Sequence, residues 1–230
     1  MANGGSAVIK DCNFSSNIGA EGGAISGYPG SHLSVETSLF YNNTAHREAS
    51  ASGGGGAIAF TGASANLTNC TFFGNYTTFN GGAIGNGGPM TVTNCTFESN
   101  ASKNGGAIDN SNYLLLRNSI IANSEIGNNC VGIFPLTDGG GNLRWPATDD
   151  SCVGSFGDPR LAPLADNGGP TLTMALQLGS AAVRLATANC PTADQRGAPR
   201  GLSPGSCDAG AYEWQGLFVF FPAVYRNPTP

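Results

Sequence analysis

Seven cysteines, two histidines and fifteen carboxylates are the side chains of this 230-residue sequence that chemistry could use. A zinc site needs Cys-x-x-Cys or a closely spaced His pair. No Cys-x-x-Cys occurs, and His32 and His46 stand apart, in or near expected loops, where both read as solvated. Gly201-Leu202-Ser203-Pro204-Gly205 fits Gly-x-Ser-x-Gly, but a nucleophile elbow needs a strand before it and a helix after it. Here a proline follows the serine. Gly53-Gly54-Gly55-Gly56 lacks the Lys and Ser/Thr of a phosphate loop. Asp138-Gly139-Gly140-Gly141-Asn142 and Asp149-Asp150 offer oxygen ligands to calcium, a weak candidate because the EF-hand spacing is missing. Inverting glycoside hydrolysis needs two carboxylates ~6.5–9.5 Å apart, so its test depends on what the surrounding elements bring together.

Those elements repeat. Gly-Gly-Ala-Ile occurs four times, beginning at Gly22, Gly55, Gly81 and Gly105, in steps of 33, 26 and 24 residues. Phe-x-x-Asn precedes each copy, beginning at Phe14, Phe40, Phe72 and Phe97, in steps of 26, 32 and 25. The extra length of the second unit lies between Asn43 and Gly55, in a polar insertion. A degenerate fifth unit places Ile121 at the Phe position and Ser124 at the Asn position. Upstream of each Phe runs apolar-x-Asn/Asp-Cys/Ser-x-Phe, as in Leu67-Thr68-Asn69-Cys70-Thr71-Phe72. Strict alternation would put Cys and Phe on one face and the first apolar residue on the other. A one-residue corner at Asp11, Asn69, Asn94 and Asn118 removes the conflict, because Asn tolerates the left-handed conformation.

Each unit then reads as three short strands separated by a bend and a turn, too small to bury a face alone. Stacking units in parallel buries a continuous core. The glycine pairs would allow a tight turn with positive φ and a close backbone approach. The expected fold is all-β, a single-stranded parallel β-helix of about five to six coils, with an inward ladder of Cys12, Phe14, Phe40, Cys70, Phe72, Cys95, Phe97 and Ile121. The outward columns can be written down the stack as Lys10/Glu36/Thr68/Thr93/Arg117, Ser15/Tyr41/Phe73/Glu98/Ala122 and Ser26/Ala59/Gly85/Asp109. No column stacks two acids, so no catalytic pair is read from this window.

The cysteines divide in two. Cys12, Cys70 and Cys95 share one repeat position, where a stacked thiol ladder is favoured over a Cys70–Cys95 bond. Cys130, Cys152, Cys190 and Cys207 lie in the irregular second half. Pairing Cys130 with Cys152 and Cys190 with Cys207 closes loops worth ~3 kcal/mol each in the loop-entropy model and implies an oxidising compartment.

The alternation of Gly-Gly-Ala-Ile with Phe-x-x-Asn over about residues 8–125 resembles the repeat of polymorphic outer membrane proteins and related bacterial right-handed, pectin-lyase-like β-helix proteins. Asp158-Pro159-Arg160-Leu161, Leu164-Ala165-Asp166-Asn167-Gly168-Gly169-Pro170-Thr171, Gly179-Ser180-Ala181-Ala182, Asp194-Gln195-Arg196-Gly197 and Cys207-Asp208-Ala209-Gly210-Ala211-Tyr212-Glu213 follow in order. They are similar to the end of the bacterial choice-of-anchor Q domain. That family has Ile-Asp where Val183-Arg184 stands here, so no role for the acid carries over. The chain therefore divides into repeats at 1–127, last coils with the anchor-like region at 128–213, and an apolar-Pro-basic tail at 214–230, read as a last strand or a sorting signal.

A formal net charge of −5, a charged fraction of 11% and no basic run argue against nucleic acid. No apolar run approaches the ~20 residues of a spanning helix. A repeat already under way at residue 8, with no signal peptide before it, suggests the C-terminal part of a longer exported chain. The resemblances imply a non-catalytic extracellular or cell-surface protein, structural or adhesive, which binds surface glycans or host or neighbouring proteins. It would be a monomer or part of a longer chain, with no cofactor. The alternative is a fragment of a polysaccharide lyase or hydrolase whose catalytic coils lie upstream.

Overall fold

A computed structural model describes residues 4–46, 54–201 and 205–216. The insertion at 47–53, Leu202 to Pro204 of the Gly-x-Ser-x-Gly match, and the tail from residue 217 lie outside the described residues. Short strands stack in parallel into an all-β solenoid of about five turns, and all pairing between named strands is parallel and joins successive turns. One sheet holds Ser6–Lys10, His32–Glu36, Ser64–Thr68, Met90–Thr93, Leu114–Arg117 and Thr137–Asp138. A second holds Asn13–Ser15, Leu39–Tyr41, Thr71–Phe73, Thr96–Glu98, Ile120–Ala122, Leu143–Trp145 and Ser155–Phe156. A third begins at the Ile of each Gly-Gly-Ala-Ile and ends with Cys130–Gly132. A small fourth sheet, Ile18–Gly19, Thr44–Ala45 and Tyr76–Thr77, is an element the three-strand reading of the unit missed. Parallel pairing continues to Ser155–Phe156, so the coils after Asn128 share the same sheets.

The corner between the first two sheets is left-handed at Asp11, Thr37, Asn69, Asn94 and Asn118, with φ between 48° and 54°. It turns the frame so that Val35, Leu67, Val92 and Leu116 before it and Phe40, Phe72 and Phe97 after it all point inward, each fully buried. The alternation of Cys and Ser after the corner also has a cause. Each side chain donates back across the bend, Ser38 Oγ to Glu36 O at 2.7 Å and Cys70 Sγ to Thr68 O at 3.3 Å. A second left-handed column, Ser16, Asn42, Gly74, Ser99 and Asn123, turns each coil out of the second sheet.

Two ladders line the interior. Phe14, Phe40, Phe72 and Phe97 stack with ring centroids 4.7–4.9 Å apart and planes within 6°, and Ile121 continues the column in register. The Asn of Phe-x-x-Asn forms the other. Asn43 Nδ2 donates to Asn75 Oδ1, and Asn75 Nδ2 to Asn100 Oδ1, each at 2.9 Å. Nδ2 of Asn43, Asn75 and Asn100 also reaches the Phe carbonyl of the coil before, which satisfies amides that burial would otherwise penalise.

The glycine pairs serve space more than dihedral angle. A Cβ on Gly56 would fall on the Gly82 carbonyl, and one on Gly82 on the Gly106 carbonyl. The positive φ expected of these pairs occurs only at Gly81 (75°) and Gly105 (62°). The close backbone approach expected of these pairs is what requires glycine here, because neighbouring coils touch backbone to backbone.

After Phe156 the chain leaves the stack and folds back as a strap over the outer face of the second sheet. Leu176, Ala182 and Ala209 of the strap meet Ile120, Ala122 and Leu143 of the sheet in a separate apolar cluster. This accounts for the apolar outward residues Ile120, Ala122 and Leu143 at the far end of the second sheet. Disulfides close the two irregular turns, Cys130–Cys152 with Cα atoms 5.2 Å apart and Cys190–Cys207 at 6.0 Å.

Candidate functional site

The strap is held by the corner column. Asn69 Nδ2 donates to Ala193 O at 2.8 Å, Asn94 Nδ2 to Asp208 O at 3.0 Å, and Asn118 Nδ2 to Ala188 O at 2.9 Å. The corner asparagines thus have a second task that the sequence frame alone did not indicate. Asn combines tolerance of positive φ with a side-chain donor that reaches outward.

The residues similar to the anchor domain are spent on this attachment. Asp194, with its side chain fully buried, accepts Arg196 Nη2 at 2.7 Å and Nε at 2.9 Å. The Arg196 guanidinium lies 3.6 Å from the Tyr212 ring centroid. Arg200, also fully buried, donates Nη1 to Glu213 Oε2 at 3.0 Å and Nη2 to Asn69 Oδ1 at 2.8 Å. Burial pushes the Arg200 guanidinium below its ordinary value against the pull of Glu213, Asp194 and Asp208. Burial raises the Asp208 carboxyl, while the main-chain N–H groups of Arg184 and Trp214 work to lower it. Arg184, at the position where the anchor family has an acid, presents its main chain to Asp208, its N donating at 2.7 Å.

Below the asparagines the corner opens. Between the first sheet and strap residues 191–197 runs a groove of about 530 Å³, with Lys10, Glu36 and Thr68 along its floor. These three are register partners on successive coils, so they follow the solenoid axis at ~4.8 Å per step. Asp11 and Thr37 form the open part of the corner, with Thr37 Oγ1 donating to Asp11 Oδ1 at 2.5 Å. Lys10 and Glu36 lie side by side in register and, among the described residues, make neither an ion pair nor a side-chain hydrogen bond. The opposite wall is rigid, because Ala193 is tied to Asn69, Gln195 Oε1 accepts Thr71 Oγ1 at 2.7 Å, and Cys190 is bonded to Cys207. Nothing in the first half of the sequence signalled this groove.

The outward columns occur in the expected register, and they put Glu36, Glu98 and Asp109 on three different sheets. Glu98 is 8% exposed and held by Asn123 Nδ2 at 3.0 Å, with Oε2 buried and unpartnered. Burial raises its carboxyl, Asn123 and Ser99 lower it, and the Asp158 carboxylate of the strap raises it further. Burial also raises Asp109, against the lowering effect of Asn80. A carboxyl raised in the folded state holds its proton more tightly there than in the unfolded chain. Its contribution to stability is therefore lost as pH rises from about 4.5 through the folded value. Glu98→Gln keeps the Asn123 acceptor and removes the charge. It is expected to raise Tm at pH 7 and leave it unchanged at pH 4, by calorimetric scans at both pH values.

The remaining candidates are structural. Cys70 and Cys95 are buried free thiols and Cys12 is half-buried. Burial pushes the Cys70 thiol up, and neighbouring Cys95 adds to this. Counting alkylated thiols by intact mass on the unfolded, unreduced chain should give three, and seven would remove both disulfides. His32 opens a strand directly after a turn and is exposed, its alternation placing it outward with Nδ1 2.8 Å from Ser64 Oγ. Asp138 Oδ1 accepts Gly140 N at 2.9 Å and Asn142 Nδ2 at 2.8 Å, and Asp149 Oδ1 accepts Ser151 N at 2.9 Å. These carboxylates close their own turns. Among the described residues no group of three or more His, Cys, Asp or Glu side chains is placed to hold a metal, and no helix is long and apolar enough to cross a membrane.

No curated protein and no solved structure matches the chain. A family model for the right-handed β-helix region matches residues 1–143, more than half of the sequence. That span takes in the corner column, the Phe and Asn ladders and the groove floor, and so the chain belongs to the right-handed β-helix family.

Proposed function

We propose that this chain is a non-catalytic module of an exported bacterial cell-surface or secreted protein, structural and adhesive in role, with a glycan or a neighbouring protein as its partner. The observation that carries the reading is the destination of the charged side chains. Asp194, Arg196, Arg200, Asp208 and Glu213 cross-link the strap to itself, and Arg200 also reaches Asn69 of the solenoid, while the outward acids stand singly on separate sheets. Two disulfides support export, since such bonds persist in oxidising compartments. The resemblance to polymorphic outer membrane repeats and to the choice-of-anchor Q end supports a surface setting. A glycan array with and without calcium, followed by product analysis of every hit, tests the reading. Retention without turnover is expected, and cleaved sugar would overturn it.

A second reading, a polysaccharide-active enzyme, has one observation in its favour. Glu98 is a buried carboxyl raised towards the proton-holding form, and Asp158 lies within its electrostatic reach. Product release abolished by Glu98→Gln would establish that reading in place of the first.

A further inference from the structure

We infer that the Cys190–Cys207 disulfide is a thiol-exchange site, at which a thiol-bearing partner becomes covalently attached to Cys190. This goes beyond the adhesive reading and does not rest on it. The two disulfides differ in access. Cys130 and Cys152 are 4% and 5% exposed, and both belong to the central apolar cluster. Cys207 is equally closed, at 1%, but Cys190 is only half-buried. Thr187, Ala188 and Asn189 before it are exposed. Gly205, whose carbonyl oxygen lies 3.9 Å from Cys190 Sγ, is exposed as well. One sulfur of this bond is therefore open to an incoming thiol, and its mate is not.

Exchange proceeds by attack of a thiolate on a disulfide sulfur, and access helps decide which sulfur is attacked. Here the partner's thiol gives its proton to water, and the thiolate so formed attacks Cys190 Sγ. The bond from the partner's sulfur to Cys190 forms as the Cys190–Cys207 bond breaks. Cys207 departs as a thiolate and then takes up a proton. No net oxidation occurs, so the partner's thiol is the only co-reactant. The departing sulfur has a donor at hand, since Asn94 Nδ2 donates to Cys207 Sγ at 3.6 Å alongside its bond to Asp208 O at 3.0 Å. Opening the bond leaves the strap attached. Ala186 and Cys207 exchange main-chain hydrogen bonds of 3.1 and 2.9 Å, Ala188 O is held by Asn118, and Ala193 O by Asn69. The attached state therefore needs no unfolding, and Cys207 stays in place to release the partner by the reverse step.

The experiment treats the whole folded chain with a mixture of reduced and oxidised glutathione, quenches in acid and locates the adducts by peptide mass mapping. A folded protein carrying one exposed cysteine is the second probe. Glutathione should attach to Cys190, leave Cys207 as a free thiol, and act on this bond at least about tenfold faster than on Cys130–Cys152. In urea that difference should vanish. Attachment of both probes assigns the site to protein partners as well as small thiols, and attachment of glutathione alone assigns it to small thiols. Cys207→Ser and Cys190→Ser provide an independent check, since each frees one of the two sulfurs. The Cys190 thiol of the first variant should react with oxidised glutathione at least about tenfold faster than the Cys207 thiol of the second. An unreacted Cys190–Cys207 bond in the folded chain, adducts on Cys207 in place of Cys190, equal rates at the two disulfides, or a difference that survives in urea would overturn the assignment.

Discussion

Phe72→Ala is expected to destabilise the protein by ~3–5 kcal/mol, the range for truncating a buried aromatic side chain. Phe72 is fully buried and stacks on both sides, with ring centroids 4.7 Å from Phe40 and 4.7 Å from Phe97. Removing it opens a cavity that the solenoid cannot close by collapse, because the backbone spacing of the coils above and below is set by parallel pairing to Phe40 and Phe97. Phe14 provides the comparison. It stacks on Phe40 at 4.9 Å but is only half-buried in the first described coil, so Phe14→Ala should cost clearly less. Urea titrations followed by circular dichroism check both, and equal losses at the two positions would mean that the ladder does not stabilise through stacking. Phe72→Asp, which adds a buried charge, should prevent folding.

Arg200→Met is expected to cost ~3–5 kcal/mol, the penalty of leaving a buried partner charge uncompensated. Arg200 joins two parts of the chain, the end of the strap through Glu213 at 3.0 Å and Gly210 O at 2.7 Å and the corner column through Asn69 Oδ1 at 2.8 Å. Its loss strands Glu213, which is 6% exposed and also accepts the Gly201 and Asp208 main-chain N–H groups. Pairing the change with Glu213→Gln should recover a substantial part of the loss, since the stranded charge accounts for most of it. Thermal melts of the single and double variants measure this, with limited proteolysis reporting whether the strap alone is released. A single variant as stable as the parent would mean that the strap does not depend on this ion pair.

The coil and its ladders were legible because they are local and repeated. The conflict between alternation and the spacing of Leu67, Cys70 and Phe72 has one simple solution, a corner at Asn69, and the same conflict recurs at Asn94 and Asn118. Where reasoning from types fell short, the missing information was what lay alongside. Phe-x-x-Asn marked a frame, but that its Asn amides bond from coil to coil depends on which way each side chain turns inside the stack. His32 stands exposed beside a turn, as read, but only its register with Ser64 shows which face of the sheet it occupies. Of the two reasons for the glycine pairs, positive φ occurs only at Gly81 and Gly105, whereas the close approach to the next coil's carbonyl recurs at Gly23, Gly56 and Gly82.

By itself the sequence determined that short parallel strands would stack, which Phe, Cys and Ile side chains would point inward, and in which order the outward columns would run. Each of these follows from spacing within a unit and repetition between units. The tertiary structure alone decided where the strap would lie, that its Asp and Arg residues would be buried in pairs, and that a polar groove would remain beside Lys10, Glu36 and Thr68. Those outcomes rest on contacts such as Asn69 with Ala193, 124 residues apart. No periodicity spans such a separation, so the meeting of strap and solenoid is set by shape and by the pairing of buried polar groups.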